Sequence, residues 1–240
     1  MTSASGAPNP NLKAWVTGFL LALTLGFLPS PRFSSVTEAA PAVAGTVSGT
    51  INLVNSKKGD PSNVAVWLEP VGGGYRRPGG RPELQQQGKR FSRRVLPITV
   101  GQEVTFPNLD PFPHNIFSNS AAKRFDLGLF QGGESRTVQF NRPGIVPVFC
   151  NIHPQMSAYL VVVPSGHYTV TDRAGNFRIG GVPNGTYRLK IWHERAVDSR
   201  LAALSRTVTV SGGVNIGTLT VDESGYVFRQ HKNKYGRDYN

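Results

Sequence analysis

The chain has very little sulfur: one cysteine, Cys150, and two methionines in 240 residues. A single cysteine excludes an internal disulfide. It also excludes an iron–sulfur or zinc-knuckle cluster built within one chain. Acidic residues are scarce as well, 14 against 26 lysines and arginines, for a formal net charge of +12. That imbalance speaks to partners and not to fold. Charged residues make up only 17% and hydrophobic ones 39%, which excludes a disordered-tail composition. After residue 44 no long stretch has helical periodicity. With 27 glycines and 18 prolines, a helical bundle or long coiled coil is excluded.

Residues 1–44 read as a secretory signal. Lys13 precedes a fifteen-residue apolar run, AWVTGFLLALTLGFL (14–28), short of the roughly 20 residues that cross a bilayer. Pro29 and Pro31 end any helix there, and Ala42-Val43-Ala44 offers an A-x-A cleavage site before Gly45. The alternative is a retained N-terminal anchor, the one case in which membrane contact is expected. Either way the functional part is expected in the periplasm or another extracytoplasmic space.

The remainder reads as short strands between turn residues, and an all-β fold is predicted. The runs are 46–54, 63–70, 95–100, 103–108, 136–140, 145–150, 158–163, 176–179, 186–192, 206–210 and 215–221. Val104 and Phe106 alternate with Glu103 and Thr105, and Val138 and Phe140 make a similar pair. Such patterning predicts sandwiches. The one helical candidate is 194–204. Residues 71–94 hold seven basic residues and one acidic. They read as a loop whose second half re-enters a strand between Leu84 and Phe91. Solvated surface is the plain reading of that charge run; a docking patch for an acidic protein partner is the sharper one. Nucleic acid is not expected, since no aromatic-interleaved basic platform is present. His167 and His193 are read as packing or surface groups. Residues 227–240 read as a segment lying on a domain surface, or as a frayed end.

The chemistry gathers in one span, Cys150-Asn151-Ile152-His153-Pro154-Gln155-Met156. A second imidazole, His114, lies 36 residues before the cysteine. Two imidazoles, a thiolate and a thioether are the ligand set of a blue-copper electron-transfer centre. Sulfur suits Cu(I) and nitrogen suits Cu(II), so mixed donors serve both states. A rigid β scaffold keeps the geometry nearly unchanged between them. The cysteine ends one predicted strand, the methionine precedes the next, and His114 is expected from a separate loop. Other readings stand beside this one. Cys150 is an inert buried residue, a zinc ligand with His114 and His153, or a nucleophile paired with a histidine. Zinc and the nucleophile both leave Met156 unexplained.

On these residues the chain resembles the cupredoxins, in particular short-loop members of the amicyanin type and plastocyanin-like domains. The family's Cys-x-x-His-x-x-Met matches Cys150, His153 and Met156. Its Gly-x-x-Val-x-Phe-x-Asn, followed by His-Asn, matches Gly101, Val104, Phe106, Asn108, His114 and Asn115. The resemblance covers about residues 82 to 164 and implies a Greek-key β-sandwich holding one type 1 copper on His114, Cys150, His153 and Met156. It further implies that Asn115 ties the two ligand segments through backbone hydrogen bonds and that Pro154 stiffens the loop. By resemblance Cys150 is the main electronic coupling path and His153 the exit edge. The stretch from Ser118 to Arg124 matches nothing in the pattern.

A second resemblance is to the carboxypeptidase regulatory-like, or transthyretin-like, module. It rests on Asp172, Gly175, Phe177, Val182, Pro183, Gly185 and Tyr187. That module opens with a strand pair like 46–54 and 63–70, which here precedes the copper motifs. The expected organisation is therefore a small β-sandwich from 45–70 and 166–222, a cupredoxin at 71–165 inserted into it, and a basic tail at 223–240. The alternative is two domains in series.

The expected function is single-electron transfer between extracytoplasmic redox partners, the partner carrying an acidic docking surface. No enzymatic activity is expected, since Met156 takes the position a substrate would need. The alternatives are a copper-binding or copper-delivery module without electron transfer, and a cell-surface binding sandwich with no metal.

Overall fold

The computed structural model describes residues 44–73 and 79–239; the signal-peptide reading and its cleavage site lie, but for Ala44, outside the described residues. Fourteen strands and one short helix are described. In chain order they are β1 (Ala44–Val54), β2 (Ala65–Pro70), β3 (Val95–Thr99), β4 (Glu103–Pro107) and β5 (His114–Asn119). Next come β6 (Arg124–Phe130), β7 (Ser135–Gln139), β8 (Gly144–Cys150), β9 (Ser157–Val163) and β10 (Tyr168–Val170). β11 (Asn176–Pro183), β12 (Gly185–Trp192), α1 (Asp198–Ala203), β13 (Arg206–Val210) and β14 (Gly213–Asp222) complete the set. The protein is all-β, as its glycine, proline and period-two patterning require. No helix among the described residues is long and apolar enough to cross a membrane.

Four sheets result. β11-β1-β14 and β10-β2-β12-β13 are built from residues before 71 and after 167. β3-β9-β8-β5-β6 and the two-stranded β4-β7 are built from residues 95–163. The five-stranded sheet has apolar residues on both faces, and alternation separates them. Leu96, Ile98, Val146, Val148, Leu160 and Val162 point into one core, closed on its far side by Val104, Phe106 and Val138 of β4 and β7. Val95, Val161 and Val163 point the other way, into a second core with Val47, Val66, Leu68, Leu189 and Val221. β3 and β9 therefore read as near-continuous apolar runs, since both of their faces are buried.

Three sequence expectations need correction. Residues 84–91 form no strand: Glu83 and Gln86 make only isolated bridges to Thr105, Phe91 and Asn108. Gly88 and Lys89 adopt left-handed φ there, which interrupts a ladder. Residues 114–119 and 124–130, assigned to no element from sequence, are strands β5 and β6. Their bulge between Asn115 and Phe117 and the positive φ of Gly128 blur the period-two signal. The helical candidate shortens to the six residues of α1.

His193 is 2% exposed, and its Nε2–H donates to Glu223 Oε1 at 2.8 Å. Its Nδ1 is buried with no hydrogen-bond partner among the described residues. Burial lowers the His193 pKa against the pull of Glu223, because a proton on Nδ1 would have no acceptor. Below the unfolded imidazole value of about 6.5, the unfolded chain then binds a proton that the folded chain resists. Stability is thus expected to fall as pH drops from 7 to 5, by at most about 1.4 kcal/mol per pH unit for one such group. Thermal unfolding of the metal-free chain against pH checks this. His193→Gln, which keeps an N–H donor toward Glu223 and removes the titration, should flatten the slope. An equal slope in both proteins would refute the assignment.

Candidate metal centre

The fold brings three of the four sequence-predicted donors together, His114, Cys150 and His153, while Met156 is buried at the end of the same loop. β5 and β8 are antiparallel with Ile116 opposite Cys150. His114 lies two residues from Ile116, so it shares the face of Ile116, Val148 and Cys150 at the same end of the sheet. His114 is thus the first residue of a strand, and not part of a loop as the sequence suggested. β8 ends at Cys150, β9 begins directly after Met156, and residues 151–156 connect them. This loop closes on itself: Cys150 N–H donates to Met156 O at 3.2 Å, and Met156 N–H donates to His153 O at 2.9 Å.

Cys150 Sγ lies 3.7 Å from His114 Nδ1 and 3.6 Å from His153 Nδ1, and the two ring nitrogens are 3.1 Å apart. A point equidistant from the corners of such a triangle lies about 2.0 Å from each, close to metal–nitrogen and metal–sulfur bond lengths of about 2.0–2.3 Å. His114, Cys150 and His153 are the one His/Cys/carboxylate group among the described residues whose donors converge in this way. His114 and Cys150 are fully buried, Met156 is 1% exposed and His153 is half-buried. Burial, then the neighbouring His114 and Lys89, lowers the His153 pKa, which favours the neutral imidazole that a metal needs. A softer transition metal that takes both nitrogen and sulfur fits this donor set.

Sequence reasoning missed the group behind His114. Asp110 Oδ2 lies 2.8 Å from His114 Nε2. An Nε2–H donating to this carboxylate leaves the Nδ1 lone pair facing Cys150. The carboxylate also accepts the N–H groups of Gly88 at 2.6 Å and Lys89 at 3.0 Å. Burial works to raise the Asp110 pKa, but the bonds from Lys89, His114 and Gly88 outweigh it and hold the carboxyl below its ordinary value. A Cβ on Gly132 would stand 2.2 Å from Asp110 O, so only glycine lets the β6–β7 turn approach this segment. The available signal was an acid four residues before His114, in LDPFPH.

Asn115 O accepts the Asn151 N–H at 3.0 Å, a backbone link between the two ligand segments. The Asn115 side chain turns instead to Asp126, 2.7 Å away. Pro154 is half-buried, and its carbonyl accepts from His231 Nε2–H at 2.8 Å. Tyr239 O–H donates to Cys150 O at 3.1 Å. Burial, then the Cys150 side chain, pushes the Tyr239 pKa up to about 12, so the phenol remains a donor at neutral pH. The sequence allowed residues 227–240 to lie on a domain surface but tied neither His231 nor Tyr239 to this site. Phe112 packs edge-on to His114 and tilted against His153, with centroids at 5.4 and 6.0 Å. The Lys89 ammonium lies 5.4 Å from the Phe112 centroid.

No protein-family model matches the chain. Over 88 residues it is 28% identical to amicyanin-alpha of Methylorubrum extorquens, spanning 35% of this chain and 74% of that protein. Among solved structures it resembles a purple cupredoxin from Nitrosopumilus maritimus at 26% identity and a TM-score of 0.32, over 34% of this chain and 99% of the other. A copper-containing nitrite reductase from Thermus scotoductus matches at 27% identity and a TM-score of 0.34, over 40% of this chain and 25% of the enzyme. The chain is thus amicyanin-like in sequence over about a third of its length.

Proposed function

We propose that the chain is a type 1 copper protein carrying single electrons between extracytoplasmic redox partners. One observation carries the reading: His114, Cys150 and His153 converge within 3.7 Å of one another, with Met156 buried at the end of the same loop. Bound copper would supply one-electron chemistry between Cu(I) and Cu(II). Cys150, His114 and His153 would hold the metal, the thiolate as the strongest donor, and Met156 would add a weaker sulfur donor that tunes its potential. The buried side chains exclude water, so the donors need not rearrange when the charge at the site changes. His153 is the half-buried member and the exit edge. The sequence likeness to amicyanin supports this reading over its third of the chain.

The exposed Lys89 stands beside the site, since its backbone holds Asp110 and its ammonium lies near Phe112, and the exposed Arg90 follows it in the chain. They favour a partner with an acidic docking surface and speed encounter at low salt. We place residues 71–165 as a cupredoxin inserted into a small regulatory-like sandwich made of 45–70 and 166–222. The ladders β1–β11, β1–β14 and β2–β12 support that placement.

The absorption spectrum of the oxidised, copper-loaded chain tests the function. An intense visible thiolate-to-copper band is expected. Stoichiometric copper without that band would refute the site. Retention of copper through repeated oxidation and reduction would separate an electron carrier from a delivery protein.

Asp110→Ala should weaken copper binding by about 10–100-fold, as loss of a partner to a ligating histidine does. Competition with a chelator measures this. An unchanged affinity would show that His114 needs no external orientation.

A further inference from the structure

The segment 231–239 has no counterpart in the ligand motifs, yet it reaches the Cys150–Met156 loop at several points. His231 Nε2–H donates to Pro154 O at 2.8 Å, and Tyr239 O–H donates to Cys150 O at 3.1 Å. Lys234 N–H donates to Asn151 Oδ1 at 2.9 Å. Lys234 Nζ pairs with Asp126 Oδ2 at 2.7 Å, and the other oxygen of Asp126 accepts from Asn115, the neighbour of His114. The His231 ring stacks on Phe149, next to Cys150, at 3.9 Å and 13°. Tyr239 meets His231 edge-on at 5.2 Å.

The segment is also ordered by itself. Asn233 N–H donates to Arg237 O at 2.8 Å, and Asn233 Oδ1 accepts the N–H groups of Tyr235 and Arg237 at 3.0 and 3.1 Å. Less flexibility is then lost when it docks. By contrast, Val227 and Phe228, which lead into it, are 69% and 75% exposed. The contacts concentrate on the ligand loop and are not spread along the segment.

The loop needs such support. Within it, Cys150–Met156 and His153–Met156 are the backbone bonds, and Pro154 has no N–H to contribute. Three of the four candidate ligands sit on these seven residues. A metal site tolerates little ligand movement, so contacts that hold such a loop act on metal retention without touching the metal.

We propose that residues 231–239 form a strap holding the Cys150–Met156 loop in its metal-binding shape, with His231 and Tyr239 as positioning residues acting through the carbonyls of Pro154 and Cys150. Its consequence for copper rests on the function proposed above; its consequence for the loop does not. The full chain is used, comparing the parent with Tyr239→Phe, His231→Ala, the double variant and His231→Gln. Cys150 is the only cysteine, so its alkylation by iodoacetamide in the metal-free protein reports its exposure independently of copper, and denaturant unfolding of each variant separates loop opening from global unfolding. The double variant should react at least about ten-fold faster. Copper-loaded protein is then mixed with excess bicinchoninate under reducing conditions, and Cu(I) release is followed. Release should be about 10–100-fold faster in the double variant, with an altered thiolate band. His231→Gln, which keeps an N–H donor, should recover part of both losses. Should the double variant fail to fold, Tyr239→Phe removes a single oxygen and carries the test alone. Rates within two-fold of the parent in both assays would overturn the strap. Faster alkylation of the double variant, alongside a parent chain that binds no copper, would leave the strap standing and refute the copper reading. A normal thiolate band with no change in either rate would do the reverse.

Discussion

Cys150→Ser is expected to abolish the visible thiolate-to-copper band and to lower Cu(I) affinity by more than about 100-fold, beyond the loss that follows removal of a supporting residue. Serine fills nearly the same volume, so the fully buried position stays packed. What changes is the donor. A hydroxyl is hard and stays protonated, whereas Cu(I) needs a soft, deprotonated sulfur, and the intense colour arises from that sulfur. His114 and His153 remain 3.1 Å apart and can still hold Cu(II) weakly, so a pale, nitrogen-bound species is expected. Absorption and electron paramagnetic resonance of the oxidised protein read the difference. Retention of the intense band in the serine variant would place the copper elsewhere. His193→Gln, at a histidine joined to Glu223 and not to the site, should leave the band intact.

Phe106→Ala should be among the most destabilising single changes in the core between β4–β7 and the five-stranded sheet, by about 3–5 kcal/mol. Phe106 is fully buried on β4, beside Phe125 at a centroid distance of 6.0 Å. It belongs to the two-stranded β4–β7 layer that closes the core opposite the five-stranded sheet. Removing the ring leaves a cavity that a two-stranded layer, held by few ladder bonds, collapses into only partly. Against a typical total of about 5–15 kcal/mol, such a loss lowers the melting temperature by roughly 6–20 °C. Thr137→Ala, on the solvent face of the same layer, should cost within about 0.5 kcal/mol. Denaturant unfolding followed by near-ultraviolet circular dichroism compares the two. Similar midpoints for both variants would show that this layer contributes little to the core.

Local pattern carries a long way in this chain. Period-two alternation in β4 and β7 exposes Val104, Phe106 and Val138 as core residues, because each strand buries one face and wets the other. Cys150, His153 and Met156 lie within seven residues, and a soft donor beside an imidazole is uncommon enough to point to a metal. His114 could be paired with them by chemistry, since donor type survives in a one-letter code. What alternation misses is equally specific. β5 carries buried residues at five consecutive positions, and β6 is broken by Gly128, so neither has the rhythm of a half-buried strand.

Sequence alone determined the β class and the Cys150–Met156 loop and named the candidate donors, because each depends on residue type and spacing over a few neighbours. Tertiary structure decided everything that joins distant segments. Asp110 supports His114 only because the backbone N–H groups of Gly88 and Lys89 come to its carboxylate. His231 and Tyr239 reach the ligand loop from 77 and 89 residues away. A hydrogen bond to a backbone carbonyl can be made by many side chains and to any residue. It leaves no mark at the accepting position, and only the folded chain reveals it.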